Sequence, residues 1–329
     1  MGKTGEVTRG ARPGAGDWSD WQPLVDGPAM SGDVLAETLD GGQAFRWKKI
    51  VADAAELGDW QGVWAENIVR LRRNARERIE WSAPLALAPR AAPALAEYFG
   101  TARDFSALTD LLPWRSDPHL ARCVVEFSGL RILKQPFGET LLGFLCSATK
   151  QIVQIKQMMA LLAERHGTPI IRVAERGSVS PNTPQPSIHR LPTWAELATI
   201  PETELRACQL GFRARYISET ARWIAARPGW LAETEALPYA AAKERLCLLP
   251  GVGEKVADCV LLFGAGRMEA FPVDVWILKT LARRYGLDGW RPAQLTQFGR
   301  AHFGPLAGLA QQFLFAWERK AAKAARAAL

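Results

Sequence analysis

The turn LPGVG at residues 249–253 constrains the fold of this chain most. Residues 239–248 before it carry apolar side chains at helical spacing, with Leu246 on the inward face. Proline ends a helix and two glycines permit a sharp reversal, so a second helix is predicted to begin near Glu254. The segment therefore predicts two helices joined by a tight hairpin, a helix-hairpin-helix element, near residues 240–265.

The hairpin also predicts a phosphate-binding site. The backbone N–H groups of Val252, Gly253 and Glu254 are expected to lack intrahelical partners at the positive end of the second helix. A formal net charge of +7 and a pI near 9.3 suit an anionic partner, with nucleic acid first among them. A mildly basic enzyme without such a partner is the plain alternative.

Lys255 and Asp274 form a candidate catalytic pair. Lys255 falls in the first turn of the second hairpin helix, where the positive helix end and a bound base both disfavour the ammonium form. A free amine there could attack an electrophilic carbon. Asp274 precedes a helix starting near Val275, an N-cap position that should hold its carboxylate ionised and fixed. Such a carboxylate suits an oxocarbenium-like transition state, whereas a phosphate contact and an ordinary cap are the plain interpretations.

Composition limits the class of protein. The five cysteines are scattered without a CxxC pair, which argues against a zinc site or an iron–sulfur cluster and indicates the reduced thiols of an intracellular protein. Residues 1–17, rich in Gly, Lys and Arg, are expected to be a disordered basic arm, neither a signal peptide nor a membrane span. The expected compartment is the cytoplasm and nucleoid of a bacterium or the nucleus of a eukaryote.

The pattern along the chain predicts an α+β fold, with an N-terminal antiparallel β domain packed on a mainly helical domain. At 329 residues the chain suits two or three packed units. Residues 18–82 are predicted to be β-rich, with 34–39 leading into a turn at 40–43 and alternating stretches after it. Prolines interrupt this pattern, and helical periodicity dominates from Ala94 onward.

The predicted domains are a β-rich one at 18–130 and a helical one at 131–329, which carries the hairpin. Residues 177–186, with three prolines, are predicted to be an irregular loop. Besides the hairpin pair, the predicted helices lie at 107–112, 120–127, 139–145, 152–166, 194–199, 202–210, 214–226, 275–285 and 306–328.

Several motifs together resemble one family of DNA repair enzymes. The segment 249–274 resembles the helix-hairpin-helix, Gly/Pro…Asp (HhH-GPD) class of base-excision DNA glycosylases, and within it the eukaryotic-type 8-oxoguanine DNA glycosylase/lyase. The resemblance covers roughly residues 20–320. It includes DGGQAFRW at 40–47, RIL at 131–133, FLCS at 144–147, LGFRARY at 210–216 and GPLAGLAQ at 304–311. It implies a TBP-like N-terminal glycosylase domain and an HhH-GPD catalytic domain.

The resemblance implies a lysine-dependent reaction on a flipped base. Lys255 would attack the sugar C1′, with Asp274 as its electrostatic and proton-handling partner, and β-elimination from the Schiff base would nick the strand 3′ to the lesion. Flipping is needed because C1′ and the lesion edge are shielded inside the duplex. Gly42 would offer its carbonyl to the N7 hydrogen that 8-oxoguanine has and guanine lacks, so one buried acceptor discriminates the two bases.

The resemblance also implies the remaining base and DNA contacts. Cys259, one helical turn after the lysine, would stack on one face of the base and Phe315 on the other, while Gln311 would bond to its edge. Phe212 would be a wedge in the base stack, and Arg213 would read the estranged cytosine. The plain alternatives are a buried cysteine, a core phenylalanine and a phosphate-binding arginine.

Four positions depart from the family pattern. Thr149 stands where an asparagine usually fills the vacated stack, and Gln154 stands where a second cytosine-reading arginine is usual. Trp276 replaces a histidine that contacts the phosphate of the flipped nucleotide, and Phe212 replaces a tyrosine. Because two cationic or potentially cationic groups are lost, we expect a weaker preference for cytosine opposite the lesion.

The resemblance implies a structural cation, monovalent or calcium, at the backbone carbonyls of Cys247, Leu249 and Val252. It implies no required cofactor, no membrane, and a monomer that binds double-stranded DNA containing an oxidised purine. Two alternatives are a monofunctional glycosylase for alkylated bases, against which Lys255 argues, and a non-catalytic DNA-binding protein. The latter would not need Asp274 or the stacking pair.

Overall fold

The computed structural model describes residues 18–50, 59–172 and 187–327. The predicted basic arm at 1–17 and the proline-rich loop at 177–186 lie outside the described residues. Within the three described stretches, no helix combines the length and the apolar character that crossing a membrane requires. The fold is α+β as predicted, with an antiparallel sheet followed by a mainly helical region.

A five-stranded antiparallel sheet occupies the N-terminal part of the chain. Its strands are Gln22–Pro23 (β1), Trp47–Lys49 (β2), Trp60–Trp64 (β3), Asn67–Arg73 (β4) and Ile79–Ser82 (β5), in the spatial order β1-β5-β4-β3-β2. Trp47 pairs with Gly62, and a Cβ at Gly62 would fall 2.5 Å from the Trp47 ring. Because Gly62 has no side chain, the Trp47 indole can be buried against it.

Helices make up most of the rest of the described chain. They are Gly32–Asp40 (α1), Ala88–Phe99 (α2), Phe105–Asp110 (α3), Pro118–Glu126 (α4), Phe137–Cys146 (α5), Ile152–His166 (α6), Trp194–Thr199 (α7), Glu202–Leu205 (α8), Arg213–Ala225 (α9), Trp230–Ala236 (α10), Tyr239–Leu246 (α11), Glu254–Phe263 (α12), Val275–Tyr285 (α13), Pro292–Phe303 (α14) and Ala307–Ala327 (α15). A short antiparallel pair, Pro169–Arg172 (β6) and Ser187–His189 (β7), lies between α6 and α7.

Residues 34–39 belong to helix α1, so the expectation of a β-rich segment there is wrong. Ser31 caps the helix, because its hydroxyl accepts the Val34 N–H at 3.3 Å, and Asp33 adds a negative charge to the first turn. The buried side chains follow helical spacing, at Val34, Leu35, Thr38 and Leu39. A short apolar run fits a strand or a helix, and here the N-cap signal distinguishes them.

Most predicted helices are confirmed, with three differences. Helix α2 is not among the predicted helices, and it begins at Ala88, before the stretch from Ala94 onward where helical periodicity was expected. Pro89 lies in its first turn, where a missing N–H costs little. The predicted helix at 202–210 is α8 followed by a π turn, since Gln209 has a φ of +63°. Helices α10 and α14 and the β6–β7 pair were not predicted from the sequence either.

A row of aromatic rings connects the sheet to the hairpin. The Phe45 ring, just before β2, packs edge-on at 5.3 Å from the Phe144 ring of α5. Phe144 in turn stacks at 5.6 Å on Phe263, the last residue of α12. Helix α5 is therefore sandwiched between the turn that precedes β2 and the second hairpin helix, and this arrangement positions the site.

Candidate active site

The hairpin at 249–253 joins α11 to α12 as the sequence predicts. Gly251 adopts a φ of +79°, and a Cβ there would fall 2.8 Å from the Tyr216 ring of α9. Gly253 is exposed, and no described atom lies within 4 Å of the position that its Cβ would take. The hairpin is thus packed on the protein side and open on the other side, as a DNA-contacting turn requires.

One of the three N–H groups predicted to be free has an acceptor. The Val252 N–H donates to the Leu249 carbonyl at 3.1 Å, because the turn closes on itself there. The N–H groups of Gly253 and Glu254 have no main-chain acceptor among the described residues. The predicted phosphate site at the start of α12 is therefore limited to the N–H groups of Gly253 and Glu254.

A cleft of about 470 Å³ opens beside the hairpin and is lined by Gly42, Lys255, Asp274 and Phe315, among others. Lys255, the second residue of α12, is half-buried, and its Nζ lies 5.4 Å from the centroid of the Phe144 ring. The face of an aromatic ring attracts a cation, which helps to hold the amine over α5. The cleft thus contains the predicted catalytic pair and two of the predicted base contacts.

Asp274 is the N-cap of α13, as predicted. Its Oδ1 accepts the Ile277 N–H at 2.9 Å, which fixes the direction of the carboxylate. Burial raises the pKa of the Asp274 carboxyl, although the Ile277 N–H and the charge of Lys255 lower it. The cap and Lys255 favour the charged carboxylate, as expected, while desolvation in the cleft moves its loss of charge to a higher pH than for an ordinary aspartate.

The Gly42 turn forms the opposite wall of the cleft. Gly42 has a φ of +107°, a region that side chains other than glycine rarely adopt. A Cβ there would lie 3.0 Å from Ile152 Cδ1 and 3.8 Å from the Phe315 ring. The position therefore needs glycine for backbone conformation and for space, which is consistent with a carbonyl placed close to a bound base.

Gln43 anchors this turn, a role that the sequence analysis did not assign. Its Nε2 donates to the Arg131 carbonyl at 2.9 Å, and its Oε1 accepts the Leu133 N–H at 3.0 Å. The Gln135 amide donates to the Gln43 carbonyl at 2.6 Å. A buried side chain with both ends bonded to a distant segment fixes the main chain beside it, and therefore the neighbouring Gly42.

Phe315 and Gln311 lie one turn apart on α15, but only Phe315 reaches the cleft. Gln311 is buried, its Nε2 donates to the Pro272 carbonyl at 3.2 Å, and its Oε1 accepts from Gln312 at 2.8 Å. One amide hydrogen remains for a base edge. The predicted role of Gln311 stays a prediction.

Cys259 lies under the cleft rather than on its wall. Its side chain is buried, and it is not among the residues that line the cleft. Burial raises the pKa of the Cys259 thiol to about 12, although the charge of Lys255 lowers it. A neutral thiol can pack on a base without repelling it, and the stacking role of Cys259 stays a prediction.

The sequence analysis missed an ion pair at the edge of the cleft. Arg319 Nη1 of α15 lies 2.9 Å from Glu37 Oε1 of α1, and both side chains are largely buried. The Arg319 guanidinium also lies 5.6 Å from the centroid of the Phe315 ring. The spacing from Phe315 to Arg319 places both on one helix face, but nothing in the sequence indicates Glu37. The pair ties the Phe315 wall to the helix that leads into the Gly42 turn.

The predicted wedge and the predicted cytosine reader differ in exposure. Phe212 is 50% exposed and packs edge-on against Tyr216, so it is free to enter a base stack. Arg213 is buried and donates to the Ala148 carbonyl, to the Leu210 carbonyl at 3.2 Å and to Thr149 Oγ1 at 3.0 Å. Arg213 therefore holds the 148–149 loop, and its base-reading role stays a prediction.

The departing positions have local roles in the fold. Thr149 has a φ of +55°, where a β-branched residue is strained. Gln154 caps α6, since its Oε1 accepts the Gln151 N–H at 3.1 Å, and its side chain is exposed. Trp276 lines the cleft beside Asp274 and is half-buried. Of these three residues only Trp276 lines the cleft, and the predicted DNA contacts of all three stay predictions.

The carbonyls predicted to hold a cation belong to Cys247, Leu249 and Val252. The Leu249 carbonyl already accepts the Val252 N–H, but it has a second lone pair for a cation. Main-chain oxygens are suitable ligands for calcium and monovalent ions. Among the described residues no group of three or more His, Cys, Asp and Glu side chains could hold a metal. The hairpin cation stays a prediction.

Comparison with known proteins identifies the class and then the family. Residues 33–141 match the 8-oxoguanine DNA glycosylase N-terminal domain, and 142–301 match the HhH-GPD superfamily base excision DNA repair protein. The chain is 30% identical over 304 residues to "N-glycosylase/DNA lyase OGG1" of Arabidopsis thaliana, covering 88% of this chain and 78% of that protein. It is also 30% identical to "N-glycosylase/DNA lyase" of Saccharomyces cerevisiae, covering 77% and 69%.

Solved structures agree with these relatives. The 8-oxoguanine glycosylase/lyase of Clostridium acetobutylicum, in complex with dsDNA containing cytosine opposite 8-oxoG, has a TM-score of 0.75 at 29% identity. The match covers 88% of this chain and 92% of that one. Fold and site thus define an HhH-GPD base-excision repair protein. Within that class, the chain belongs to the 8-oxoguanine DNA glycosylase family.

Proposed function

We propose that this chain excises 8-oxoguanine from duplex DNA and then cuts the strand at the abasic site. It is a bifunctional DNA glycosylase and lyase, as the names of its relatives and its membership of the family support. One observation carries the assignment of residues. A lysine amine and a capped carboxylate line the same cleft as the Gly42 turn and Phe315.

The first step replaces the glycosidic bond by a bond to Lys255. The Nζ lone pair attacks C1′, the C1′–N9 bond breaks, and its electron pair leaves with the base, which takes up the proton that Nζ loses on forming the new bond. Positive charge develops on the sugar, and the fixed Asp274 carboxylate stabilises it electrostatically. Opening of the sugar ring, with proton transfer to O4′, gives an iminium at C1′.

The second step cuts the strand. The iminium acidifies the C2′ hydrogens, and loss of one as a proton allows the C3′–O3′ bond to break, with its electron pair leaving on the 3′ phosphate. Hydrolysis of the imine then returns Lys255 as a free amine. The exposed N–H groups of Gly253 and Glu254 would hold backbone phosphate while this occurs.

The opposite wall would select the base. A base held between Phe315 and α12 would present its N7 edge to the Gly42 carbonyl. Guanine has no hydrogen at N7 and would leave this acceptor unpaired, which costs about 1–3 kcal/mol. The Gln43 anchor keeps the carbonyl in place without a base, so the acceptor is preorganised.

The cleft also argues against the two alternatives. A monofunctional glycosylase for alkylated bases has no use for an amine beside the capped aspartate, yet Lys255 occupies that place. A protein that only binds DNA has no use for a carboxyl that is desolvated within the cleft, which costs free energy without contacting phosphate.

Borohydride trapping tests the proposed function. The protein is incubated with a duplex that holds one 8-oxoguanine opposite cytosine, together with sodium borohydride, which reduces the imine to a stable adduct. We expect an adduct with the wild type and none with Lys255→Gln. Lys150→Gln, which removes a second lysine from the same cleft, should keep it. An adduct with Lys255→Gln would contradict the assignment of the nucleophile.

A further inference from the structure

A second large groove lies away from the active cleft. It has a volume of about 970 Å³ and is lined by segment 26–29, by α3 with the residues before it, and by residues 128–131. None of its lining residues lines the active cleft. The volume is within the range of grooves that hold small-molecule ligands.

The buried guanidinium of Arg131 lines this groove without a counter-ion. Arg131 is only 5% exposed, and its Nη1 donates to the Phe99 carbonyl at 2.8 Å. Its Nε has no hydrogen-bond partner, and no carboxylate of the described residues lies within ion-pair distance. Burial lowers the pKa of Arg131 to about 10, so the group keeps its charge at neutral pH. A buried charge without a counter-ion is costly in free energy, and binding an anion would lower that cost.

Two more arginines flank the groove. Arg78 donates to the Gly27 carbonyl at 3.3 Å and Arg103 to the Gly266 carbonyl at 3.4 Å. Within the described parts of the chain, neither forms an ion pair with a carboxylate. Their charges are therefore available to the same anion as that of Arg131.

The acidic residues of the groove are mostly engaged elsewhere. Asp104 caps α3, where its Oδ1 accepts the N–H groups of Ser106 and Ala107 at 3.0 Å. Asp110 pairs with Arg115 at 2.7 Å. Only the exposed Asp26 has no such contact in the described structure. The lining holds as many aspartates as arginines, but two of the aspartates are bound to partners, whereas the hydrogen bonds of the three guanidinium groups go only to main-chain carbonyls.

We propose that this groove binds a phosphate-bearing small molecule of mononucleotide size, with its phosphate on Arg131. A guanidinium offers a fork of donors that matches phosphate oxygens, and three of them line one groove. The half-buried Trp114 ring also lines the groove and gives a planar apolar surface for the rest of the ligand, while the buried Phe105 ring lies 4.8 Å from the Arg131 guanidinium and helps to hold it. The site is independent of the proposed glycosylase reaction.

The choice of variant follows from a second contact of Arg131. Its main-chain carbonyl accepts from the Gln43 side chain, so a shift of the main chain at residue 131 after a substitution would reach the Gly42 turn. Arg103 has no such contact with the active cleft and is the better position. Arg103→Gln removes one charge from the groove and keeps a polar side chain of similar reach.

The test is calorimetric titration of the full-length wild type with deoxyadenosine monophosphate, repeated in the presence of inorganic phosphate. We expect saturable binding that Arg103→Gln weakens about tenfold, the loss of one charged hydrogen bond. Inorganic phosphate should displace the nucleotide, and Lys255→Gln should bind it as the wild type does. Binding that is lost with Lys255→Gln but not with Arg103→Gln, or no saturable binding at millimolar nucleotide, would overturn the proposal.

Arg131→Lys is the second variant. It keeps the positive charge but removes the planar fork, so weaker nucleotide binding than in the wild type supports a phosphate held by two guanidinium nitrogens. Thermal unfolding shows whether the variant is folded before it is titrated. A folded Arg131→Lys protein with the nucleotide affinity of the wild type would overturn the placement of the phosphate.

Discussion

The two walls of the active cleft are built in different ways. The catalytic wall, Lys255 and Asp274, is placed by local structure, since each residue lies at the start of its own helix. The recognition wall, the Gly42 turn with Phe315, is placed by contacts between distant segments. Gln43 bonds to main-chain groups 88 and 90 residues away, and Arg319 reaches Glu37 across 282 residues.

This difference between the two walls assigns the chemical steps to the catalytic wall and the selection of the base to the recognition wall. The catalytic wall is positioned by the first turns of two helices, so it should move little when other parts of the molecule shift. The recognition wall is positioned by long-range contacts, so it should move when any one of them is lost. We therefore expect changes in the catalytic wall to affect the rate on every DNA substrate. Changes in the recognition wall should affect the choice of base and the stability of the fold.

Asp274→Asn should have the largest effect among the changes that leave the nucleophile intact. Asparagine also caps helices well, so the unfolding midpoint should stay near that of the wild type. Loss of the negative charge should lower the single-turnover rate of excision by roughly 10²–10³-fold. An unchanged rate would mean that Asp274 serves only as a cap.

The pH profile of the wild type tests the same residue. Burial raises the pKa of the Asp274 carboxyl, so its charged form should be lost at a higher pH than for an ordinary aspartate. The excision rate should therefore fall as the pH drops through that raised value, and Asp274→Asn should lack this acidic limb. If both proteins showed the same limb, another group would cause it.

Arg319→Gln should weaken the recognition wall. It leaves Glu37 buried without its partner, which should cost about 2 kcal/mol in the free energy of unfolding, and excision of 8-oxoguanine should fall about tenfold as Phe315 loosens. The double variant Glu37→Gln/Arg319→Gln should be more stable than the single variant, because no unpaired charge remains. Chemical denaturation and single-turnover kinetics measure both effects.

The matched control is a more exposed ion pair. Arg73 and Glu77 lie 3.2 Å apart, and Glu77 is largely exposed. Arg73→Gln should change stability by less than about 1 kcal/mol. An equal loss in both single variants would show that burial of the Glu37–Arg319 pair has no special importance.

The same contrast explains what the sequence could predict. LPGVG, Lys255 and the cap at Asp274 are local signals, and the structure has the hairpin and the cap where they were expected. Helix α1 was mistaken for a β-rich segment because a short apolar run fits both structures. The anchor at Gln43 and the Glu37–Arg319 pair have no local signal, since only folding brings their partners together.

The preference for the base opposite the lesion depends on a part of the site where cationic groups are missing. Gln154 is exposed and uncharged, and Arg213 is turned inward onto Ala148 and Thr149. A good contact to one base contributes about 1–3 kcal/mol, and the contacts that would favour cytosine are missing here. We therefore expect excision rates opposite the four bases to differ by less than about tenfold. Rates measured on four duplexes that differ only in that base decide this. A strong preference for cytosine would show that Arg213 turns outward on DNA.

Thr149→Asn should have the smallest effect, and it should be favourable. Thr149 is strained at a φ of +55°, a region that asparagine tolerates better, and an amide can still accept from Arg213. We expect a gain of about 1 kcal/mol in the free energy of unfolding. Thr109→Asn, in helix α3, should instead destabilise the protein, because its hydroxyl bonds to the Phe105 carbonyl at 2.7 Å. A loss of stability with Thr149→Asn would mean that the strain is absent.

The most direct measurement compares two DNA substrates, one with 8-oxoguanine and one with a ready-made abasic site. Borohydride trapping on both is measured for the wild type, Lys255→Gln and Gly42→Ala. We predict that Lys255→Gln loses the adduct on both substrates. Gly42→Ala, whose Cβ would crowd Ile152, should lose it on 8-oxoguanine and keep it on the abasic site. Equal loss on both substrates with folded Gly42→Ala would contradict the separation of the two walls.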